Sequence, residues 1–232
     1  MPLITSHAAC KGHAPENTLA GIRAALDLRA DAIEIDIHLT RDAVPVLIHD
    51  PTVDRTTDGA GPIAALSLRQ ARTLDAGGGE GIPTLREVLQ AVAGRALIVL
   101  EVKPEGIEEE VLAAVRRAKA LDSCAVHSFR PRIVQRVRTL EPRMPCSLLT
   151  GVDGARDAPK LFSLALSLGA QGVAVHYEAA TPAFVRAAHL RELRCSTWTA
   201  NARVDVRRLA AAGVDAITSD FPDRVRRWLP KR

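Results

Sequence analysis

Short apolar runs alternate along the chain with stretches whose apolar positions recur every three or four residues. The runs at residues 3–8, 96–103, 125–129, 145–149, 172–176, 195–199 and 215–219 predict strands. Helical spacing predicts a first helix from about residue 15, opened by Pro15, Glu16, Asn17 and Thr18, with Leu19, Ile22, Leu26 and Leu28 along its inner side. Further helices are predicted over about 84–93, 107–121, 131–140, 158–168, 182–193, 204–212 and 224–229. Such alternation argues a parallel α/β architecture.

Residues 31–38 break the ordinary strand pattern. Glu34, Asp36 and His38 point one way, and Ile33, Ile35 and Ile37 point the other. With the isoleucines packed outward on helices, the carboxylates face an enclosed space. Two interior carboxylates repel each other and lose hydration, so a bound cation is the simplest resolution. The next apolar run, residues 44–49, follows after a link far shorter than the dozen or so residues a parallel crossover needs. The two runs therefore form a hairpin, and a turn centred on Asp42 and Ala43 puts Asp36 opposite His49. Residues 51–83 are rich in turns and glycine, with one helical pattern near 66–74; a connection of that length reads as a functional cap.

Eight strands each followed by a helix close into a TIM (β/α)8 barrel carrying a small insertion, the hairpin and cap of about residues 40–83, after strand two. The whole of residues 1–232 is expected to form one such domain. His7, Glu34, Asp36, Glu101, Lys103, Ser128, His176, Trp198 and Asp220 all fall at strand C-terminal ends, the face on which barrels carry active sites.

Composition narrows the partners. The chain is 47% hydrophobic and 25% charged, with a net charge of +4 spread over amphipathic segments rather than gathered into a basic stripe, so no nucleic-acid partner is expected. An anionic small molecule suits that charge. No apolar run approaches ~20 residues, so no membrane span is expected. The four cysteines form no Cys-x-x-Cys pair and read as buried reduced thiols, and no secretory signal is visible, which together predict a cytoplasmic location.

Glu34, Asp36 and Glu101 offer oxygen ligands from adjacent strands, a donor set that favours one divalent cation, Mg²⁺ or Ca²⁺, over Zn²⁺. His7 and His49 converge on the same mouth and are candidates for paired general acid and base. Lys103 either neutralises a phosphate oxygen or pairs with a metal-binding carboxylate. Trp198 either stacks on substrate or fills the barrel top. Glu16 and Asn17 either cap the first helix or orient His7 from behind. Asp50, with Arg55 and Asp58, is a turn residue or a support for His49. His13, His127, His176 and His189 receive no role.

The motifs, taken in order, resemble the glycerophosphodiester phosphodiesterases: His7 followed by Pro15-Glu-Asn-Thr18, Glu34-Ile-Asp36, Leu39-Thr-Arg-Asp42, His49-Asp50, Arg55-Thr-Thr-Asp-Gly59, Ile82-Pro-Thr-Leu85, Glu101-Val-Lys103, Ser128-Phe129, Trp198-Thr-Ala-Asn201 and the run from Gly213 to Asp220. The resemblance implies a TIM barrel, a divalent metal on the acidic trio, two catalytic histidines and a small-molecule glycerophosphodiester substrate. Hydrolysis of such a diester gives sn-glycerol 3-phosphate and an alcohol, a reaction of glycerol and lipid metabolism. One departure stands out: the family usually reads His-Arg-Gly at its first motif, and this chain reads His7, Ala8, Ala9. A guanidinium fork on phosphate is lost there, and Lys11 in the same loop is the candidate replacement as a point charge. Two rival readings follow. A lysophospholipase D-like phosphodiesterase would need an apolar cap surface, and a noncatalytic phosphodiester-binding protein would explain Ala8. Whether the chain forms a homo-oligomer is not legible.

Overall fold

A computed structural model describes residues 1–230. In chain order its elements are β1 (Leu3–Ser6), α1 (Leu19–Asp27), β2 (Ala32–Leu39), β3 (Pro45–Leu47), α2 (Leu68–Ala71), α3 (Leu85–Val92), β4 (Leu97–Val102), α4 (Glu108–Arg117), β5 (Cys124–Ser128), α5 (Pro131–Leu140), β6 (Cys146–Thr150), α6 (Val152–Ala155), α7 (Ala158–Ser167), β7 (Gly172–His176), α8 (Pro182–His189), β8 (Arg194–Trp198), α9 (Arg203–Ala212), β9 (Ala216–Ser219) and α10 (Pro222–Trp228). Eight of the strands pair in parallel in the order β1-β9-β8-β7-β6-β5-β4-β2, and pairing of β1 with β2 closes the barrel. The expected TIM barrel is the observed fold.

The isoleucines of β2 explain why it stays in the wall. Ile33, Ile35 and Ile37 are fully buried between barrel and helices, in one core with Ile98 and Leu100 of β4, Leu85 and Val88 of α3, Leu112 of α4 and Ile133 of α5. Glu34 and Asp36, on the other face, are turned into the barrel. Parallel register then sets neighbours on one level: Asp36 lies beside Glu101, and Glu101 beside His127.

β3 runs antiparallel on β2, as the short link required. Its register differs by one residue from the expected one. Ile37 faces Leu47, and the Ile48 amide donates to the Asp36 carbonyl at 3.1 Å, so Asp36 lies opposite Ile48 rather than His49. The cause is the turn: Thr40 N–H closes on the Val44 carbonyl, Thr40 Oγ1 donates to Asp42 Oδ1, and Ala43 takes φ 59°, which centres the loop on Asp42 alone. His49 falls past the end of β3, in a bend.

Helix α1 also begins later than its spacing predicts. Thr18 is the N-cap, its Oγ1 accepting from the Gly21 amide, so Pro15, Glu16 and Asn17 belong to the preceding loop and supply no acidic first turn. Asn17 cannot join the helix because it sits at φ 57°. β3 and the segment after it share a small core of their own, built from Val46, Ile48, Val53, Ile63, Ala71 and Ile82. Among the described residues no helix is long and apolar enough to cross a membrane. All four cysteines are buried and free.

Candidate active site

Two adjacent strands place the acidic residues. Glu34 and Asp36 come from β2 and Glu101 from the end of β4, and one oxygen of each lies within 4.8 Å of the others. Glu34 Oε2 accepts from the Ala8 amide at 2.8 Å, while Glu34 Oε1 is buried without any hydrogen-bond partner. Burial, then the charges of Asp36 and Glu101, push the Glu34 carboxyl well above its usual range. For Asp36 burial acts in the same direction, but Lys103, Asn17 and His49 outweigh it and hold the group below its usual range. Burial raises Glu101, partly offset by Lys103. Lys103 Nζ sits 2.8 Å from Asp36 Oδ1 and also bonds Glu101, the structural alternative that its spacing allowed.

Two of the three carboxylates therefore share one lysine, and the third, Glu34, keeps a buried oxygen with no partner. A hard cation fits this set: the donors are all oxygen, their oxygens are close enough to share one ion, and the added charge would let Glu34 ionise.

Asn17 does what the sequence left open, for a different residue. Its amide donates to Asp36 Oδ2 at 2.8 Å, and its carbonyl oxygen accepts from the Asp36 amide at 3.0 Å, so it fixes Asp36 rather than His7. Glu16 likewise does not touch His7; it accepts from Arg55.

The two histidines are held alike. His7, just past β1, donates from Nδ1 to Asp220 Oδ1 at 2.6 Å, and His49 donates from Nδ1 to Asp50 Oδ1 at 2.6 Å. Asp220, beyond β9, is in turn fixed by Asn201 Nδ2 at 2.6 Å, while Asn201 Oδ1 accepts from the Asp220 amide. Burial opposes the Asp220 charge, yet His7 and Asn201 keep its carboxyl below the usual range. The roles of Asp220 and Asn201 were missed from sequence. Asp220 stood at a strand end, but nothing in its spacing paired it with a residue 213 positions away.

Lys11 Nζ lies 4.0 Å from the same Asp220 oxygen that holds His7. Ala8, where the arginine is lost, is buried at φ 45°, and its methyl is not available to the mouth. Trp198 donates its indole N–H to the Ala174 carbonyl at 3.2 Å and packs edge-on against Phe129 and His176. Its polar edge is thus satisfied, and its ring joins those of Phe129 and His176 in one aromatic group.

An oxygen-rich acidic cluster at the C-terminal mouth of a closed (β/α)8 barrel defines a barrel enzyme whose site suits a cation. The model of the glycerophosphoryl diester phosphodiesterase family matches residues 7–224. The Bacillus subtilis protein YhdW is 34% identical over 95% of each chain, and a glycerophosphodiester phosphodiesterase of Caldanaerobacter subterraneus is 31% identical over 95% of each. Among solved structures, a phosphodiesterase from Oleispira antarctica in complex with the product sn-glycerol-3-phosphate superposes with a TM-score of 0.87 at 27% identity, covering 98% of this chain and 96% of that one. The chain belongs to the glycerophosphoryl diester phosphodiesterase family. It is a phosphoric diester hydrolase.

Proposed function

We propose that the protein hydrolyses glycerophosphodiesters to sn-glycerol 3-phosphate and an alcohol, with a divalent cation and a histidine pair, and that residues 1–232 act as one catalytic unit. The observation that carries the reading is the convergence of Glu34, Asp36 and Glu101, with a buried unpartnered oxygen, beside two histidines each anchored through Nδ1. The product held by the Oleispira antarctica relative names the same half of the diester.

Glu34, Asp36 and Glu101 would hold Mg²⁺ or Ca²⁺, which supplies Lewis-acid stabilisation of the phosphoryl oxygens. With Nδ1 bonded to a carboxylate, each ring turns Nε2 toward substrate. One Nε2 takes the proton of the attacking hydroxyl while the other gives a proton to the alcohol oxygen as its bond to phosphorus breaks. Where the attacking group is water this yields sn-glycerol 3-phosphate directly; where it is the glycerol 2-hydroxyl it yields a cyclic phosphodiester that water opens to the same product with the two rings exchanging roles. Asp50 and Asp220 fix the tautomers and stabilise the imidazolium. Lys103 offers positive charge beside the phosphate, and Lys11 stands in for the missing arginine as a point charge. Phe129 and Trp198 form the wall for the organic part of the diester. The cap, residues 40–83, covers the mouth from the β3 side.

The test is release of glycerol 3-phosphate from glycerophosphocholine by purified protein with Mg²⁺, with Ca²⁺ and with EDTA. Cation-dependent release that is lost in His49→Ala and in His7→Ala is expected. Release unaffected by EDTA would remove the metal from the reaction, and no release from any glycerophosphodiester would leave a binding role.

A further inference from the structure

No ladder hydrogen bond orients the His49 ring, because the residue lies past the end of β3. Its carbonyl meets Nε2 of His38 at 3.3 Å, which holds the backbone only. The ring is nearly half exposed and rests on Asp50 Oδ1. Asp50 is gripped at its other oxygen: Arg55 Nε–H donates to Oδ2 at 2.5 Å. The far end of the same guanidinium donates to Glu16 Oε1 at 2.6 Å. Glu16 precedes Asn17, the residue whose side chain brackets Asp36.

One short loop thus reaches both halves of the site. Through Asn17 it fixes the acidic cluster, and through Glu16, Arg55 and Asp50 it reaches the His49 ring. A planar fork is needed to span two carboxylates in fixed directions, and an ammonium cannot reproduce it. An ordinary exposed ion pair would be a weak contact with no bearing on turnover. Here the pair sits between a half-exposed ring held through Asp50 and the rigid barrel, so geometry rather than stability is at stake.

We infer that Arg55 is a positioning residue for the reaction: it fixes Asp50, Asp50 fixes the His49 ring, and the Glu16 contact sets that chain against the loop holding Asp36. This rests on the reading of His49 as a proton-transfer residue. The aim of the arrangement is a fixed distance between Nε2 of His49 and the acidic cluster, which a cap segment with its own small core would not otherwise guarantee.

The experiment measures kcat and KM for glycerophosphocholine at saturating divalent cation in His49→Ala, Asp50→Asn, Arg55→Gln, Arg55→Lys, Glu16→Gln and the double variant Arg55→Gln/Asp50→Asn. Arg55→Gln is expected to lower kcat roughly tenfold to a hundredfold with KM within about threefold. Arg55→Lys recovers little of that, and Glu16→Gln, which leaves the Asp50 contact in place, loses less. In the Asp50→Asn background the Arg55 change should add less than about twofold, because Arg55 acts through Asp50. Turnover of Arg55→Gln within about twofold of the parent, a loss in KM alone, or the full Arg55 effect persisting without the Asp50 carboxylate would overturn the assignment. His49→Ala separates the two ideas. If it is inactive while Arg55→Gln turns over normally, only the role of Arg55 falls; if His49→Ala is fully active, the catalytic reading of His49 falls and this role falls with it.

Discussion

Asp220 matters through one oxygen. It accepts the Nδ1 proton of His7 and is itself tied to Asn201, so replacing it with the isosteric amide keeps the shape and removes the charge that fixes the tautomer. Asp220→Asn is expected to lower kcat by about 10²-fold, within the range that general acid-base catalysis contributes, with the fold unchanged by circular dichroism. A variant as fast as the parent would mean that His7 needs no carboxylate. A second residue-level effect concerns crowding under the first loop. Ala9 is buried at φ 66°, and a Cβ placed on Gly21 would come within 2.9 Å of the Ala9 methyl. Gly21→Ala should therefore destabilise by about 1–3 kcal/mol despite its better helix propensity. Adding Ala9→Gly removes the clash and an unfavourable left-handed alanine, so the double variant should recover most of the lost Tm. Equal Tm values for the single and double variants would show that the neighbouring backbone, not Ala9, sets the limit.

At the scale of elements, α3 ties the cap to the barrel. Thr84 caps it by accepting from the Glu87 amide, the Glu87 carboxylate returns to Thr84, and Arg72, at the end of α2, bonds the same Glu87. Thr84→Ala removes the cap and one of the contacts that hold Glu87, leaving those from the residue-84 amide and Arg72. A loss of about 1–2 kcal/mol is expected from denaturant unfolding, and a change under ~0.3 kcal/mol would mean the helix is held by packing alone. The hairpin shows how little room there is for slippage. One residue in the turn decides whether Ile48 or His49 lies opposite Asp36, and the buried contacts of Val46 and Ile48 in the cap core pin the observed choice.

For the molecule as a whole, the acidic cluster is a cost that a bound cation would relieve. Mg²⁺ or Ca²⁺ should raise Tm, since an ion that binds only the folded state stabilises it by mass action. Glu34→Gln should raise the Tm of the metal-free protein, because a buried carboxyl with a raised pKa opposes folding once pH exceeds its unfolded value, and it should also abolish the cation-dependent shift. A wild-type Tm indifferent to both ions would sink the metal reading. His127 adds a pH dependence of its own. Burial pushes its pKa from 6.5 down to about 4, so below pH 6.5 the unfolded ring takes up a proton that the folded ring refuses. Stability should fall as pH drops from 6.5 toward 4, by up to about 3 kcal/mol, and no further from this group below that. In metal-free protein His127→Gln should flatten the curve over this window; an unchanged slope would assign it to other groups.

The sequence by itself determined the barrel, and it singled out the acidic trio and the two histidines as candidates at its mouth. Alternation over Glu34 to Ile37 can be satisfied only if isoleucines meet helices and carboxylates meet the interior, and that local rule survives any change in register elsewhere. It also marked Lys103 as a residue with two partners to choose from. What it could not decide were contacts made across the chain. Asn17 bonds Asp36, Asp220 bonds His7, and Arg55 joins Asp50 to Glu16 over 39 positions, all through side chains whose spacing carries no period. The start of α1 was missed because a left-handed Asn17 follows its bonds to Ala8 and Asp36, and the hairpin register because a left-handed Ala43 follows the bonds of its own turn. Periodicity reports which face a residue takes, and only closure of the barrel brings the loops at its mouth within hydrogen-bonding distance.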